Sequence, residues 1–225
     1  MANRNQNPLP EGRGSLILLG GGGHAKVILD AAITSGFRVL GVYDDDPHAP
    51  LGGVLPHLGP IDDGLTHLES NPEPAGILAI GDLRAREDVI ESADPAINWA
   101  TVVHPGAWVS PGAAIGAGSF IGAGAIVQAD AAIGPHATIN TGAVVEHDCT
   151  LGENVHLAPR AALGGNVRIG DHSLVGIGAS VKPAITIGAH AIVGVGSAVI
   201  HDVGEHTTVV GVPARAHSGA VSVSS

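Results

Sequence analysis

The chain has 225 residues, of which only 14% are charged and 34 are glycine, so it is built largely from small and aliphatic side chains. Its length fits one large domain or two modest ones; a 44% hydrophobic content rich in Val, Ile and Leu excludes disorder, and glycine without a period of three excludes collagen. A formal net charge of -11 excludes a general binder of phosphate backbones, and the single Cys149 excludes an intrachain disulfide or a cysteine zinc cluster.

Residues 1–13 are polar, with Gly and Pro, and read as a flexible arm. No basic stretch followed by a long apolar one opens the chain, and the run Leu16 to Leu19 is too short to span a bilayer. The expectation is a cytoplasmic protein with no nucleic-acid partner and no membrane insertion. Ser15 to Leu19 reads as a strand that runs into four glycines, Gly20 to Gly23. His24 to Thr34 follows as a helix, with Ala25, Ile28, Leu29 and Ala32 at helical spacing, and Gly36 stops it. Arg38 to Tyr43 is a second strand, ending at Asp44, Asp45 and Asp46. Gly59 to Leu68 holds a turn and a short helix, Gly76 to Ile80 a third strand, and Arg84 to Ser92 a further helix. Residues 14–98 therefore read as a βαβ-type α/β domain with a small parallel sheet.

From Val103 the rhythm changes. Every sixth residue is aliphatic through Val199, 17 positions without a break, commonly followed by Gly and preceded two residues earlier by Ala or Ser. Neither an α-helix nor a flat amphipathic strand has a period of six; a hexapeptide parallel β-helix does. Each unit supplies a short strand and a turn, three units close one coil, and the aliphatic side chain points inward onto its equivalent one coil away. This second domain spans residues 99–215, with Val209 to Ala214 as its cap, Pro213 ending the pairing, and a frayed tail over residues 216–225. No coil carries an insertion, so an active site has to borrow from a neighbouring chain or from the first domain.

Three stretches taken together carry a resemblance: Gly20-Gly21-Gly22-Gly23-His24-Ala25-Lys26-Val27, Asn140 through Cys149, and Val210-Gly211-Val212-Pro213-Ala214. From about Ser15 to Ala214 the chain resembles the bacterial hexapeptide-repeat sugar acetyltransferases, of the sialic-acid O-acetyltransferase and nucleotide-aminosugar N-acetyltransferase type. The resemblance implies a small Rossmann-like N-terminal domain before a left-handed parallel β-helix, acetyl-CoA as co-substrate, and homotrimers with sites between adjacent chains. It implies direct acetyl transfer to the amine of a UDP- or GDP-linked 4-amino-4,6-dideoxy sugar, with a hydroxyl of sialic acid as the alternative acceptor.

His147, two residues past the inward Val145, should sit at a corner and face out. The resemblance makes it the general base, a role suited to a side chain that titrates near neutrality; a solvated corner histidine is the plainer reading. Asp148 is placed to orient it, as an acid beside an imidazole fixes its tautomer. His156 lies nine residues further, half a coil on, so the two histidines meet only if a neighbouring chain supplies one; the resemblance places His156 in the catalytic site near the transferred acetyl group or the acceptor amine, and interface packing is its plainer reading. Asn140 is a candidate acceptor contact or a turn amide. Gly165, in the coil next to His147, offers a backbone N–H for an oxyanion and room for the pantetheine arm, while Lys182, Arg168 and Arg160 are the cations available for CoA phosphates.

The glycine-rich turn suits a phosphate, because it presents amides at a helix start. The resemblance assigns Gly22, Gly23 and His24 there to the nucleotide-linked acceptor, with Asp44 and Asp45 at the end of the second strand. A dehydrogenase shares such a turn, but residues 14–98 are too few for two mononucleotide-binding halves. A metal hydratase on the same β-helix needs three histidines around an interface, and the histidines here show no paired spacing on a helix, so no metal is expected. The remaining histidines, His136, His172, His190 and His206 among them, read as surface or turn residues. Cys149 is not required as a nucleophile.

Overall fold

The computed structural model describes residues 12–217, so nearly all of the expected arm and tail lies outside the described residues. The first unit runs β1 (Ser15–Leu19), α1 (Gly23–Thr34), β2 (Arg38–Tyr43), β3 (His57–Gly59), α2 (Ile61–Ser70), β4 (Ala75–Leu78) and α3 (Leu83–Ser92). Its sheet has the order β3-β2-β1-β4 and is parallel throughout. Leu16 to Leu19 on β1 are each 0% exposed, as a strand covered on both faces requires. Strand alternation sends Leu16 and Leu18 into one core with Ala25, Ile28 and Leu29 of α1. Ile17 and Leu19 enter the other, with Leu65 and Leu68 of α2. Only three strands are legible in the sequence; β3 is a three-residue edge strand between Pro56 and Pro60, too short to show a period.

The second unit is a left-handed parallel β-helix. Its strands are two residues long and recur every six residues, from β5 (Val102–Val103) through β21 (Ala198–Val199). Each pairs in parallel with the strand 18 residues away, as in Ala132 with Thr150 and Ile133 with Leu151. The faces have five, six and eight strands, the last including β22 (Thr208–Val210) and β23 (Arg215–Ala216). The aliphatic of each hexad and the small residue two before it form one continuous core, in which Val127, Val145 and Leu157, with Ala125, Ala143 and Cys149, are all 0% exposed. From Gly118 to Gly196 one residue in six has a φ between 53° and 72°. That left-handed turn explains why Gly, Asn, Asp and His recur three positions after the aliphatic.

Pairing does not end at Pro213 as the sequence suggested. The chain reverses there, and Val210 pairs antiparallel with Arg215. The end of the ladder is thereby covered by its own chain. The first unit docks on the start of the eight-stranded face, where Ala100, Val102 and Phe120 join the core under α1.

Candidate active site

The turn after β12 (Val144–Val145) places His147 at a corner, facing out, with its side chain 62% exposed. Asp148 occupies the left-handed turn position, with φ 62°. That conformation swings its short carboxylate back, and His147 Nδ1 donates to it at 2.6 Å. With the proton held on Nδ1, the Nε2 lone pair is free. The hydrogen bond to Asp148 raises the His147 pKa above its ordinary value; desolvation opposes this, and the charges of Asp148 and Glu146 add to it.

Gly165 stands in the adjacent coil under the same ring. A Cβ there would lie 2.6 Å from His147 Cε1 and 2.7 Å from Nε2, so the missing side chain makes room for the imidazole. The N–H of Gly164 is taken by the Val181 carbonyl at 2.9 Å, while that of Gly165 has no acceptor among the described residues. An imidazole nitrogen with a free lone pair and a backbone donor unused among the described residues thus share one corner. Lys182 lies on the same corner column as Gly164, one coil along, and Arg168 sits on the neighbouring five-stranded face; both are exposed.

His156 is elsewhere on the chain. On β14 (His156–Leu157), in the eight-stranded face, it looks toward the first unit and lies 6.0 Å from the ring of His24. Asn140 joins them. Its Oδ1 accepts from the Thr141 N–H at 2.8 Å, which turns its Nδ2 toward His156 Nε2 at 3.4 Å. Burial first, then the charge of Arg86 and the presence of His24, push the His156 pKa down to about 3. His24 is likewise pushed down to about 4 by burial and by Arg86.

The four glycines differ in purpose. Gly20 has φ 104° and a Cβ there would meet Ile80 at 2.8 Å, so only glycine fits. At Gly22 and Gly23 there is open space within 4 Å, and Gly22 caps α1 without a side chain. The first amides of α1 therefore face outward uncapped, the arrangement that receives an anion. Asp44 braces this turn, its carboxylate accepting from Gly21 N–H at 2.5 Å and Asp46 N–H at 2.8 Å. Asp45 caps α2 by accepting from the Ile61 N–H at 3.0 Å. Asp44 thus braces the glycine turn and Asp45 the start of α2, both through the backbone, which spacing alone did not reveal.

Some residues here are invisible to a linear reading. His136 is buried, its ring 4.9 Å from that of Trp99 and edge-on to it, and so is not a surface residue. One coil apart, His172 and His190 stack at 5.0 Å, and His206 continues the column at 4.7 Å. Arg86 on α3 is 1% exposed and reaches into the β-helix. Among the described residues no group of three or more His, Cys, Asp or Glu is arranged to hold a metal ion.

The PglD N-terminal domain model matches residues 15–93, and the bacterial transferase hexapeptide (six repeats) model matches residues 130–165. Comparison with curated protein sequences returns no significant match. Among solved structures the chain is similar to a histidine-to-alanine variant of GDP-perosamine N-acetyltransferase from Caulobacter crescentus in complex with CoA and GDP-perosamine. That match has 39% identity, covers 93% of this chain and 100% of the other, and has a TM-score of 0.85. It is also similar to the acetyltransferase domain of PglB from Neisseria gonorrhoeae in complex with acetyl coenzyme A, at 35% identity, 92% and 100% coverage and TM-score 0.81. WeeI from Acinetobacter baumannii matches at 27% identity, 90% and 99% coverage and TM-score 0.77. With that identity over nearly its whole length and both domain types in the same order, the chain belongs to the bacterial hexapeptide-repeat sugar acetyltransferases, acetyl-CoA-dependent enzymes of the nucleotide-aminosugar N-acetyltransferase type.

Proposed function

We propose that the chain transfers the acetyl group of acetyl-CoA to the amine of a UDP- or GDP-linked 4-amino-4,6-dideoxy sugar, in a site completed between neighbouring chains of a homotrimer. The observation that carries this is His147, oriented by Asp148 and lying over Gly165, in a chain so similar to an enzyme solved with CoA and GDP-perosamine. His147 Nε2 takes a proton from the acceptor amine as its nitrogen attacks the thioester carbonyl. The oxyanion rests on the Gly165 N–H. The new C–N bond forms, the C–S bond breaks, and the imidazolium returns its proton to the leaving CoA thiolate. Gly22, Gly23 and His24 receive the nucleotide sugar at the start of α1, and Arg168 and Lys182 are the cations offered to CoA.

A three-fold assembly is supported by two features. His147 and His156 occupy different faces of one β-helix, so a site that uses both takes them from two chains. The six-stranded face presents Trp108, Ile126 and Val144 outward, with Trp108 59% exposed, an apolar face that closed symmetry would bury.

The test supplies acetyl-CoA with UDP- and GDP-linked 4-amino-4,6-dideoxyhexose, the same sugar without its nucleotide, and free sialic acid, and follows thiol release. Turnover confined to the nucleotide sugars is the expected result, from a species sedimenting at about three times 22.3 kDa. Turnover of free sialic acid alone would move the enzyme to O-acetylation, and a fully active monomer would remove the shared site.

Gly165→Ala separates the corner geometry from the fold. The backbone there lies outside the left-handed region, so alanine is tolerated and the melting temperature should hold. The added Cβ evicts the His147 ring, and turnover should fall by about 10-fold or more, as displacement of a catalytic group commonly costs. Unchanged turnover would show that the ring does not work from its place over Gly165.

A further inference from the structure

Phe120, Thr138 and His156 stand side by side on three successive rungs of the eight-stranded face. Two residues of the first unit close on this row. His24, at the start of α1, lies with its ring edge-on to Phe120 at 5.9 Å and 6.0 Å from His156. Arg86, from α3, donates to Thr138 Oγ1 at 2.7 Å, to the His136 carbonyl at 2.7 Å and to Asn154 Oδ1 at 2.5 Å. Asn154 returns the contact by donating from Nδ2 to the Leu83 carbonyl at 3.2 Å, at the first turn of α3. The bonds to Arg86 join positions 50 to 68 residues apart and span the junction of the two units.

The guanidinium has no carboxylate oxygen within 4.0 Å among the described residues. Its helix neighbour Glu87 turns instead to His172 and His190, at 3.8 and 3.7 Å. A buried cation held only by neutral acceptors is costly, and an apolar side chain of similar volume would serve packing better. Its function therefore lies in its fork and its charge. Arg86 Nε, His24 Nε2 and His136 Nδ1 are all buried without a partner among the described residues, around the one junction.

We propose that Arg86 is a positioning residue for acceptor binding, whose fork seats the first unit on the Phe120, Thr138 and His156 row so that His24 and His156 stand together as one recognition pair. This rests on the reading of the α1 start as the nucleotide-sugar site. The pair works as neutral imidazoles, which do not repel an amine, with the His156 Nε2 lone pair turned to Asn140 Nδ2. Burial and the Arg86 charge together oppose protonation of both rings. The titratable groups facing the junction are His24 from α1, Glu87 from α3, and His136, His156 and His172 from the β-helix.

Arg86→Met, Arg86→Lys and Thr138→Val test this, read by separate KM values for the nucleotide amino sugar and acetyl-CoA and by NMR titration of the histidine rings. In Arg86→Met the acceptor KM should rise about 10-fold or more with the acetyl-CoA KM within about 2-fold, since only orientation at the acceptor is lost. The His24 and His156 titrations should move up toward the ordinary histidine range. Arg86→Lys should keep those titrations low while still raising the acceptor KM, because an ammonium cannot reproduce the fork. A folded Arg86→Met with unchanged acceptor KM and unchanged titrations overturns the proposal. Should that variant fail to fold, Thr138→Val removes one acceptor and keeps the charge; an unchanged acceptor KM there overturns it equally. If the unmodified enzyme uses no nucleotide amino sugar, the functional reading fails separately, and the titrations still decide whether Arg86 sets the pair.

Discussion

His147→Ala is expected to lower kcat by about 10²–10⁴-fold, the usual cost of losing a general base, while acetyl-CoA affinity stays within a few-fold. The side chain is 62% exposed at a corner and its only side-chain partner among the described residues is Asp148, so alanine removes the proposed base without opening the core. A histidine-to-alanine variant of the Caulobacter relative was solved holding both CoA and GDP-perosamine, a precedent for binding that outlasts a lost histidine. Asp148→Asn adds a signed pH test. Asp148 raises the His147 pKa, and a general base works deprotonated, so the rate should climb with pH through a midpoint above 6.5. Without the carboxylate the midpoint should move down toward the ordinary histidine value, and the plateau should fall as the ring loses its orienting partner. A His147→Ala enzyme near full rate would hand the base to another group. A profile unmoved in Asp148→Asn would mean that the pair seen at 2.6 Å does not govern the titration.

What was legible in the sequence is what local repetition encodes. Because strand, turn and inward residue recur every six positions, the aliphatic run from Val103 to Val199 specified the β-helix from β5 to β21 and placed His147 outward at a corner. The same arithmetic separated His147 from His156. The left-handed turn residue was also written there, three places after each aliphatic, but it is shared by Asp148, Asn154, His172 and His190, and only coordinates distinguish their surroundings. Arg86 carries no signal of its own in the helix read over Arg84 to Ser92. Its partners Thr138 and Asn154 lie 52 and 68 residues away, and no local period connects them. His136 was taken for a turn residue because it is one; Trp99, brought over it by the docking of the first unit, makes it a buried one. Asp44 and Asp45 stand at a strand end that suits a ligand contact, and nothing in the sequence shows that they also accept from the Gly21 and Ile61 amides, 23 and 16 residues away.

The junction should also make the protein sensitive to mild acid. His24 and His136 have their pKa values lowered to about 4, and His156 to about 3, in each case by burial first and by the charge of Arg86 next. In the unfolded chain each returns to about 6.5. Between those values the unfolded state binds protons that the native state refuses, so stability is full above pH 6.5 and falls as pH drops toward 4. The shifts amount to on the order of 1 kcal/mol per histidine between pH 6.5 and 5, about 3 kcal/mol in all, once solvent screening at the less buried ring is discounted. His147 acts in the opposite sense, its pKa being raised, but from an exposed position. Urea unfolding at pH 7.5, 6.5, 5.5 and 5 should therefore show a midpoint that is level at the top of the range and drops steeply below it. His136→Gln, which leaves the His147 corner untouched, should flatten part of that fall, because one of the three refused protons is gone. A midpoint level down to pH 5 would mean that solvent reaches these rings and that the junction opens more readily than its packing around Arg86 implies.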